Sequence, residues 1–197
     1  MVFPPKELAI APEQATAPEE MTRERAILVV TLGVVEKFFG GHFTRLTIQK
    51  LTYFLQVLGV NFGLGFNKNQ FGPYSETLHS ALKSMEARNY IDGYTSEERE
   101  IVVTQGAFAA AQEHLGVMPD THSEVISKLS LLVEGYESPY GMELLSSVHY
   151  LATHNGITTQ PEMSEALGKW NNHKRDSFTV AAVTSALERL REDSLIG

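Results

Sequence analysis

The sequence predicts a mainly helical α+β domain with one small β-hairpin, built like a winged helix. Three observations carry that expectation. Apolar residues recur at three- and four-residue steps through most of the chain, as in Ile48, Leu51, Leu55 and Leu58, the spacing that lines one face of a helix. Glycine, proline and Ser or Thr interrupt those stretches at helix-length intervals, where caps and stops belong. A single region, Tyr90-Ile-Asp-Gly-Tyr94 with Glu100-Ile-Val-Val-Thr104, reads as two strands around a charged turn. The order helix, helix, hairpin gives the winged-helix comparison.

Taken in order, residues 1–21 are rich in Pro, Ala and Glu without periodicity and read as a disordered leader. Residues 22–197 form the domain, with possible sub-halves 22–118 and 119–197. A first helix runs from Thr22 to about Phe39, with Ile27, Val30, Val34, Val35 and Phe38 on one side, and Gly40-Gly41 ends it. The central helix contains Thr47 to Gln56 and closes at Gly59. Its polar flank is Gln49, Lys50, Tyr53 and Gln56, an unusual set of amides, a phenol and an ammonium. The stretch Val60 to Gln70 has two glycines but lacks the rest of a phosphate-cradling motif, so it reads as an irregular connection or short strand. Gly72-Pro73-Tyr74 reads as a turn. Ser75 caps the next helix, which carries Leu78, Ala81, Leu82 and Met85 inward.

After the hairpin, Gly106 to Leu115 is an alanine-rich helix stopped by Gly116. Thr121-His-Ser-Glu124 is a capping box for a helix bearing Val125, Leu129, Leu132 and Val133. Ser138-Pro139 starts a helix with proline in its first turn, and Asn155-Gly156 ends it. Pro161 opens a shorter helix through Trp170. Asn171 to Ser177 reads as a polar loop, and Phe178 to about Arg191 as the last helix.

The totals narrow the function classes. The chain has 197 residues, 43% of them hydrophobic, and a formal net charge of −8, which argues against coating nucleic acid with Lys and Arg. It has no cysteine, so disulfides and thiolate chemistry are excluded. The seven histidines are scattered and form no metal-ligand spacing, and no cofactor motif is present. No apolar run reaches membrane-spanning length, and there is no signal pattern, which gives the expectation of a cytoplasmic protein. Two segments are richer in chemistry. Glu134-Gly-Tyr-Glu-Ser-Pro-Tyr-Gly-Met-Glu143 gathers three carboxylates and two phenols at an interhelical turn, read either as solvated charges or as an acidic-aromatic surface. Trp170-Asn-Asn-His-Lys-Arg175 is the main basic cluster, read as a solvated loop with an anchoring tryptophan.

Together, Gln49-Lys-Leu-Thr-Tyr-Phe-Leu-Gln56, Phe71-Gly-Pro-Tyr-Ser-Glu76, Tyr90-Ile-Asp-Gly-Tyr94, the segment Glu134 to Leu145, and Trp170-Asn with Lys174-Arg175 resemble the C-terminal domain of the DarG antitoxins. The Gln-Lys-Leu and Gly-Pro-Tyr pieces also look like the broader SocA-like antitoxin domain. The resemblance runs from about Thr22 to the end. One departure is Glu86-Ala-Arg-Asn-Tyr-Ile91, where the family pattern has Glu-Gly-His-Phe-Ile. In that family a macrodomain removes ADP-ribose from DNA, while the C-terminal domain binds the DarT toxin, a DNA ADP-ribosyltransferase, and mimics its single-stranded DNA.

The resemblance therefore implies a chain without the macrodomain and without enzymatic activity. It implies an antitoxin module that inhibits a DarT-type toxin and has no direct contact with nucleic acid or membrane. Candidate contact residues are Gln49, Lys50, Tyr53 and Gln56, with Tyr74 at the turn, and Glu134, Tyr136, Glu137, Tyr140 and Glu143. The alternative is a winged-helix-like DNA-binding transcriptional regulator, which demands a basic surface that the net charge does not favour.

Overall fold

The structure, a computed structural model, describes residues 21–36, 43–96, 100–116 and 120–197. The leader lies outside these residues except for Met21, which packs against the core. Phe38, the Gly40-Gly41 stop and residues 97–99 of the charged turn also lie outside them, and the helix expected to open at Thr121 already begins at Asp120.

Among the described residues the chain is mostly helical, with two small antiparallel hairpins. Helix α1 (Arg23–Val35) is capped by Thr22 and is buried around nearly its whole circumference from Ala26 to Leu32, as expected of a helix apolar on all sides. Helix α2 (Arg45–Val57) opens on a reciprocal Thr44–Thr47 capping box. Strands β1 (Asn67–Asn69) and β2 (Gly72–Tyr74) follow, then α3 (Glu76–Ala87) with Ser75 as its cap. Strands β3 (Ile91–Asp92) and β4 (Val102–Val103) pair with Ile91 opposite Val103. Helix α4 (Gln105–Leu115) packs on α1, and Gly33 makes that approach possible, because a Cβ there would run into the Phe108 ring.

The second half is helical throughout. Helices α5 (Asp120–Val133), α6 (Pro139–Asn155), α7 (Gln160–Trp170), α8 (Asn172–Ser177) and α9 (Val180–Glu192) follow one another. Helix α6 is the axis of the molecule. It packs on α2 and β2 on one side and on α7 and α9 on the other, and it is buried continuously from Gly141 to His149. Both halves feed one hydrophobic cluster, from Ala26 and Phe54 to Leu145, Leu167 and Leu187.

The mainly helical α+β class is as expected from the sequence. Two local expectations are corrected. Gly72-Pro73-Tyr74 is not a bare turn but the second strand of an extra hairpin, with Asn67 opposite Tyr74 and Asn69 opposite Gly72. This hairpin is held by distant groups: Trp170 Nε1 donates to the Asn69 carbonyl at 2.9 Å, and Asn171 Nδ2 donates to the Gln70 carbonyl at 2.9 Å. Residues 172–177 are a short helix rather than a polar loop. Asn171 caps it by accepting from Lys174 N at 2.8 Å, and Lys174 itself is 0% exposed. The winged-helix comparison is not confirmed. A hairpin separates α2 from α3, α2 packs against α6, and α3 exposes Glu76 and Lys83 rather than a basic face.

Candidate functional site

The flank of α2 that the sequence marks as unusual points inward. Gln49 is 1% exposed, and its side-chain amide closes a two-bond bracket on the Ser75 backbone: Nε2 donates to the carbonyl and Oε1 accepts from N–H, both at 3.0 Å. Gln56 makes the same bracket on Leu64, at 2.8 and 2.9 Å. Tyr53 is buried and shares a 2.7 Å hydrogen bond with His149 Nδ1 on α6. Burial pushes the phenol of Tyr53 up and pulls the imidazole of His149 down to about 4, so both are neutral near pH 7. These amides and rings fix the loop and α3 against α2. A buried backbone polar group left unpaired costs free energy, and here the glutamines supply the missing partners.

Lys50 is the exception among them. It is 1% exposed, and its Nζ donates to the Pro73 carbonyl at 2.6 Å. Burial first, and then the Lys174 ammonium, pull its amine down to about 7, against the opposing pull of the Glu143 carboxylate. Lys50 also reaches the wall of a pocket of about 340 Å³ between α2, the first hairpin, α3 and Tyr94. Arg45, Gln49, Phe71, Gly72, Tyr74 and His79 share that lining. Arg45 is fixed at the rim, its Nε donating to the Tyr94 carbonyl at 2.7 Å and Nη2 to the Ser96 carbonyl at 3.3 Å. His79 Nδ1 and the Tyr94 hydroxyl are 2.6 Å apart. Arg45, Phe71, Tyr74 and His79 thus line one concavity, over buried Lys50 and Tyr94, each 1% exposed.

Beneath Gly72 lies a buried polar cluster. Lys174 Nζ donates to Glu143 Oε1 at 2.6 Å, with neither side chain open to water, and His173 Nε2 stands 3.5 Å from Glu143 Oε2. Ser146 donates to the Glu143 carbonyl, and the hydroxyl of Ser147 is buried with no hydrogen-bond partner. Two lysines therefore face one carboxylate.

The structure separates the expected contact residues into two groups. Gln49, Lys50, Tyr53, Gln56 and Glu143 spend their polar atoms inside the molecule, and Tyr74 is half-buried on the pocket wall. Glu134 and Tyr140 are exposed, and Tyr136 and Glu137 are half-buried, all at or beside the α5–α6 turn. There the Tyr140 hydroxyl donates to the Ser177 carbonyl and its ring meets Phe178 edge-on at 5.4 Å. Arg189 lies over the Tyr136 ring at 5.9 Å. Sequence reasoning missed Arg45, Phe71, His79 and Tyr94 as pocket residues and read Lys174 as solvated. The Phe71-Gly-Pro-Tyr and Tyr90-Ile-Asp-Gly-Tyr94 motifs were the available signals, but their convergence depends on packing. Among the described residues no group of three or more His, Asp or Glu could hold a metal ion, and no helix is long and apolar enough to cross a membrane.

No family model matches the chain. It is 34% identical over 188 residues to a protein named DNA ADP-ribosyl glycohydrolase from Thermus aquaticus (strain ATCC BAA-2747 / Y51MC23), covering 94% of this chain and 51% of that protein. It is 30% identical over 154 residues to a protein of the same name from Mycobacterium tuberculosis (strain ATCC 25618 / H37Rv), covering 75% of this chain and 44% of the relative. The chain spans about half the length of the curated relatives it matches. These names correct two expectations. The relatives are named for a hydrolase, not for an antitoxin domain of the SocA kind, and the expectation of no enzymatic activity is overturned because the shared name is that of an enzyme. Over nearly all of its own length, the chain is similar to about half of a DNA ADP-ribosyl glycohydrolase.

Proposed function

We propose that this chain serves the turnover of ADP-ribose on DNA, and that within that process it engages a DarT-type DNA ADP-ribosyltransferase at the groove where that enzyme holds single-stranded DNA. The observation that carries the reading is the 34% identity to a DNA ADP-ribosyl glycohydrolase along 94% of this chain. The α5–α6 turn supports the contact. Glu134 and Glu137 offer carboxylates in place of phosphates, and Tyr140 offers a ring in place of a stacked base. The net charge of −8 favours encounter with a basic cleft. Glu143 takes no part in this contact, because its carboxylate is buried against Lys174.

The test mixes the purified chain with a DarT-type transferase and follows complex formation and ADP-ribosyl transfer to single-stranded DNA. A stoichiometric complex displaced by excess target DNA is expected. A complex indifferent to that DNA would remove mimicry from the reading.

The relatives' name favours a second reading, in which hydrolysis itself involves this chain. Incubating the same preparation with ADP-ribosylated single-stranded DNA distinguishes the two. Release of ADP-ribose that disappears on substituting a residue of this chain assigns it a hydrolytic part.

A further inference from the structure

We propose that the transferase-contacting surface continues beyond the α5–α6 turn along α8, as a strip of Tyr140, Val180, His173 and Phe71, an inference that rests on the transferase reading above. The strip holds the complex together once the acidic turn has steered the two proteins into contact.

The size of the turn calls for an extension. By itself it offers only the stretch from Glu134 to Tyr140, whereas a lasting interface uses about 20–30 residues a side. The exposed apolar side chains give the direction. Among the described residues four large hydrophobic side chains are exposed: Phe71 at 43%, Leu131 at 60%, Tyr140 at 43% and Val180 at 62%. Three of these four lie at the two ends of α8. At its C-terminal end Tyr140 donates to the Ser177 carbonyl and packs edge-on against Phe178, and Val180 follows two residues later. At its N-terminal end the exposed His173 ring meets Phe71 edge-on at 5.8 Å. His173 and Ser177 are one turn apart, with Nδ1 and Oγ separated by 3.5 Å, so the two ends share a face of the helix. Single exposed apolar residues are ordinary, but a connected row marks a contact surface.

The row is held in place. The hairpin that presents Phe71 is clamped from the α7–α8 junction by Trp170 on the Asn69 carbonyl and Asn171 on the Gln70 carbonyl. Helix α8 is pinned from beneath by Lys174 on Glu143. Side chains fixed in advance lose little freedom on binding. Charge does not oppose an apolar contact here. Arg175 and Asp176 stand 3.4 Å apart as a pair, Glu143 is buried against Lys174, and Lys68 lies over the Trp170 ring at 4.6 Å. Beyond Phe71, the Glu76 and Glu86 carboxylates oppose Arg45 around Tyr74 and Tyr94, and the strip ends there. Leu131 marks the other direction, over α5 toward a groove whose described lining, including Val30, Val34 and Ile126, has no aromatic ring. Aromatic side chains are the ones enriched at interfaces, which favours α8.

The experiment measures association and dissociation rates of the full chain with a DarT-type transferase, at low salt and at about 1 M salt, where the Debye length is about 3 Å. Phe71→Ser, Val180→Ser and Leu131→Ser, each checked by its melting curve, are compared with the reversal of Glu134 and Glu137 to Lys. Phe71→Ser should speed dissociation about tenfold or more and Val180→Ser about threefold or more, with association changed less than about twofold. Both effects should persist at high salt, because apolar contacts are not screened. The charge reversal should act on association at low salt, and Leu131→Ser should change neither rate. If Phe71→Ser lowers the Tm, Val180→Ser at the exposed start of α9 decides the matter. Unchanged dissociation in the folded variants, with the parent bound and the charge reversal effective, overturns the strip and leaves the transferase reading standing. A parent that does not bind the transferase overturns both. A larger effect of Leu131→Ser puts the extension over α5, and a dimer of the free chain that Phe71→Ser dissolves in sedimentation assigns the strip to a second copy. Either of these results also overturns the proposal.

Discussion

Lys174→Met should be among the most damaging single substitutions in the molecule. In the parent, Lys174 Nζ and Glu143 Oε1 are 2.6 Å apart with both side chains out of water, and the ammonium also lies over the Trp170 and Phe178 rings at 4.9 and 5.3 Å. Methionine keeps most of the volume but strands the carboxylate. Breaking a buried pair from one side costs about 3–5 kcal/mol, because one charge remains buried without its partner. Two neighbours soften the loss. His173 stands 3.5 Å away, and Lys50, released from the repulsion of Lys174, becomes easier to protonate near Glu143. About 3 kcal/mol is therefore the expected cost, or roughly 6–12 °C in Tm for a domain of this size. Glu143→Met should cost a similar amount by leaving two lysines unopposed. The double substitution Glu143→Met with Lys174→Met should be clearly less damaging than the sum of the singles, since it removes both charges together. Urea unfolding of the four proteins at one pH measures the cycle. A loss under about 1 kcal/mol for either single change, or simple additivity in the double, would refute the buried-pair argument.

Three other outcomes are expected. Gly72→Ala forces a side chain onto φ +95° and places its Cβ 2.9 Å from Ser147 Oγ and 3.3 Å from Lys50 Cε, so about 1–3 kcal/mol should be lost in urea unfolding. His149 is held near 4 from an ordinary 6.5. The folded state thus binds fewer protons than the unfolded one between these values, and stability should fall by about 3 kcal/mol as pH drops from 6.5 to 4. The slope of urea midpoints against pH in that window should flatten in His149→Gln. Reversing Glu134 and Glu137 to Lys should leave the melting curve within about 1 kcal/mol of the parent, slow association with a DarT-type transferase at least tenfold at low salt, and reduce its salt dependence. Ser138→Ala, which removes the hydroxyl that accepts from Gly141 N at 3.0 Å, is the accompanying stability control.

The sequence by itself determined most of the helices and several of their ends, because periodicity and capping are set by residues a few positions apart, but it read the short helix α8 as a loop. Ser75 and Ser138 cap as their local pattern implies, and Gly116 and Gly156 adopt the positive φ that their positions after helices call for. It also located the motifs that meet at the pocket. It could not determine which side of α2 faces water. The apolar stripe identified one buried face, but Gln49, Lys50 and Tyr53 on the other flank are buried too, because α6 and the β1–β2 hairpin close over it. Only tertiary packing decided that, since a polar side chain goes inside where a distant partner satisfies it: Ser75 backbone for Gln49, the Pro73 carbonyl for Lys50, His149 for Tyr53. The same holds for Glu143 and Lys174, thirty-one positions apart, which read as an acidic surface residue and a basic loop residue. Their burial is a property of the α6–α8 contact, and that contact made Glu143 a structural counter-ion while leaving Glu134 and Tyr140 exposed.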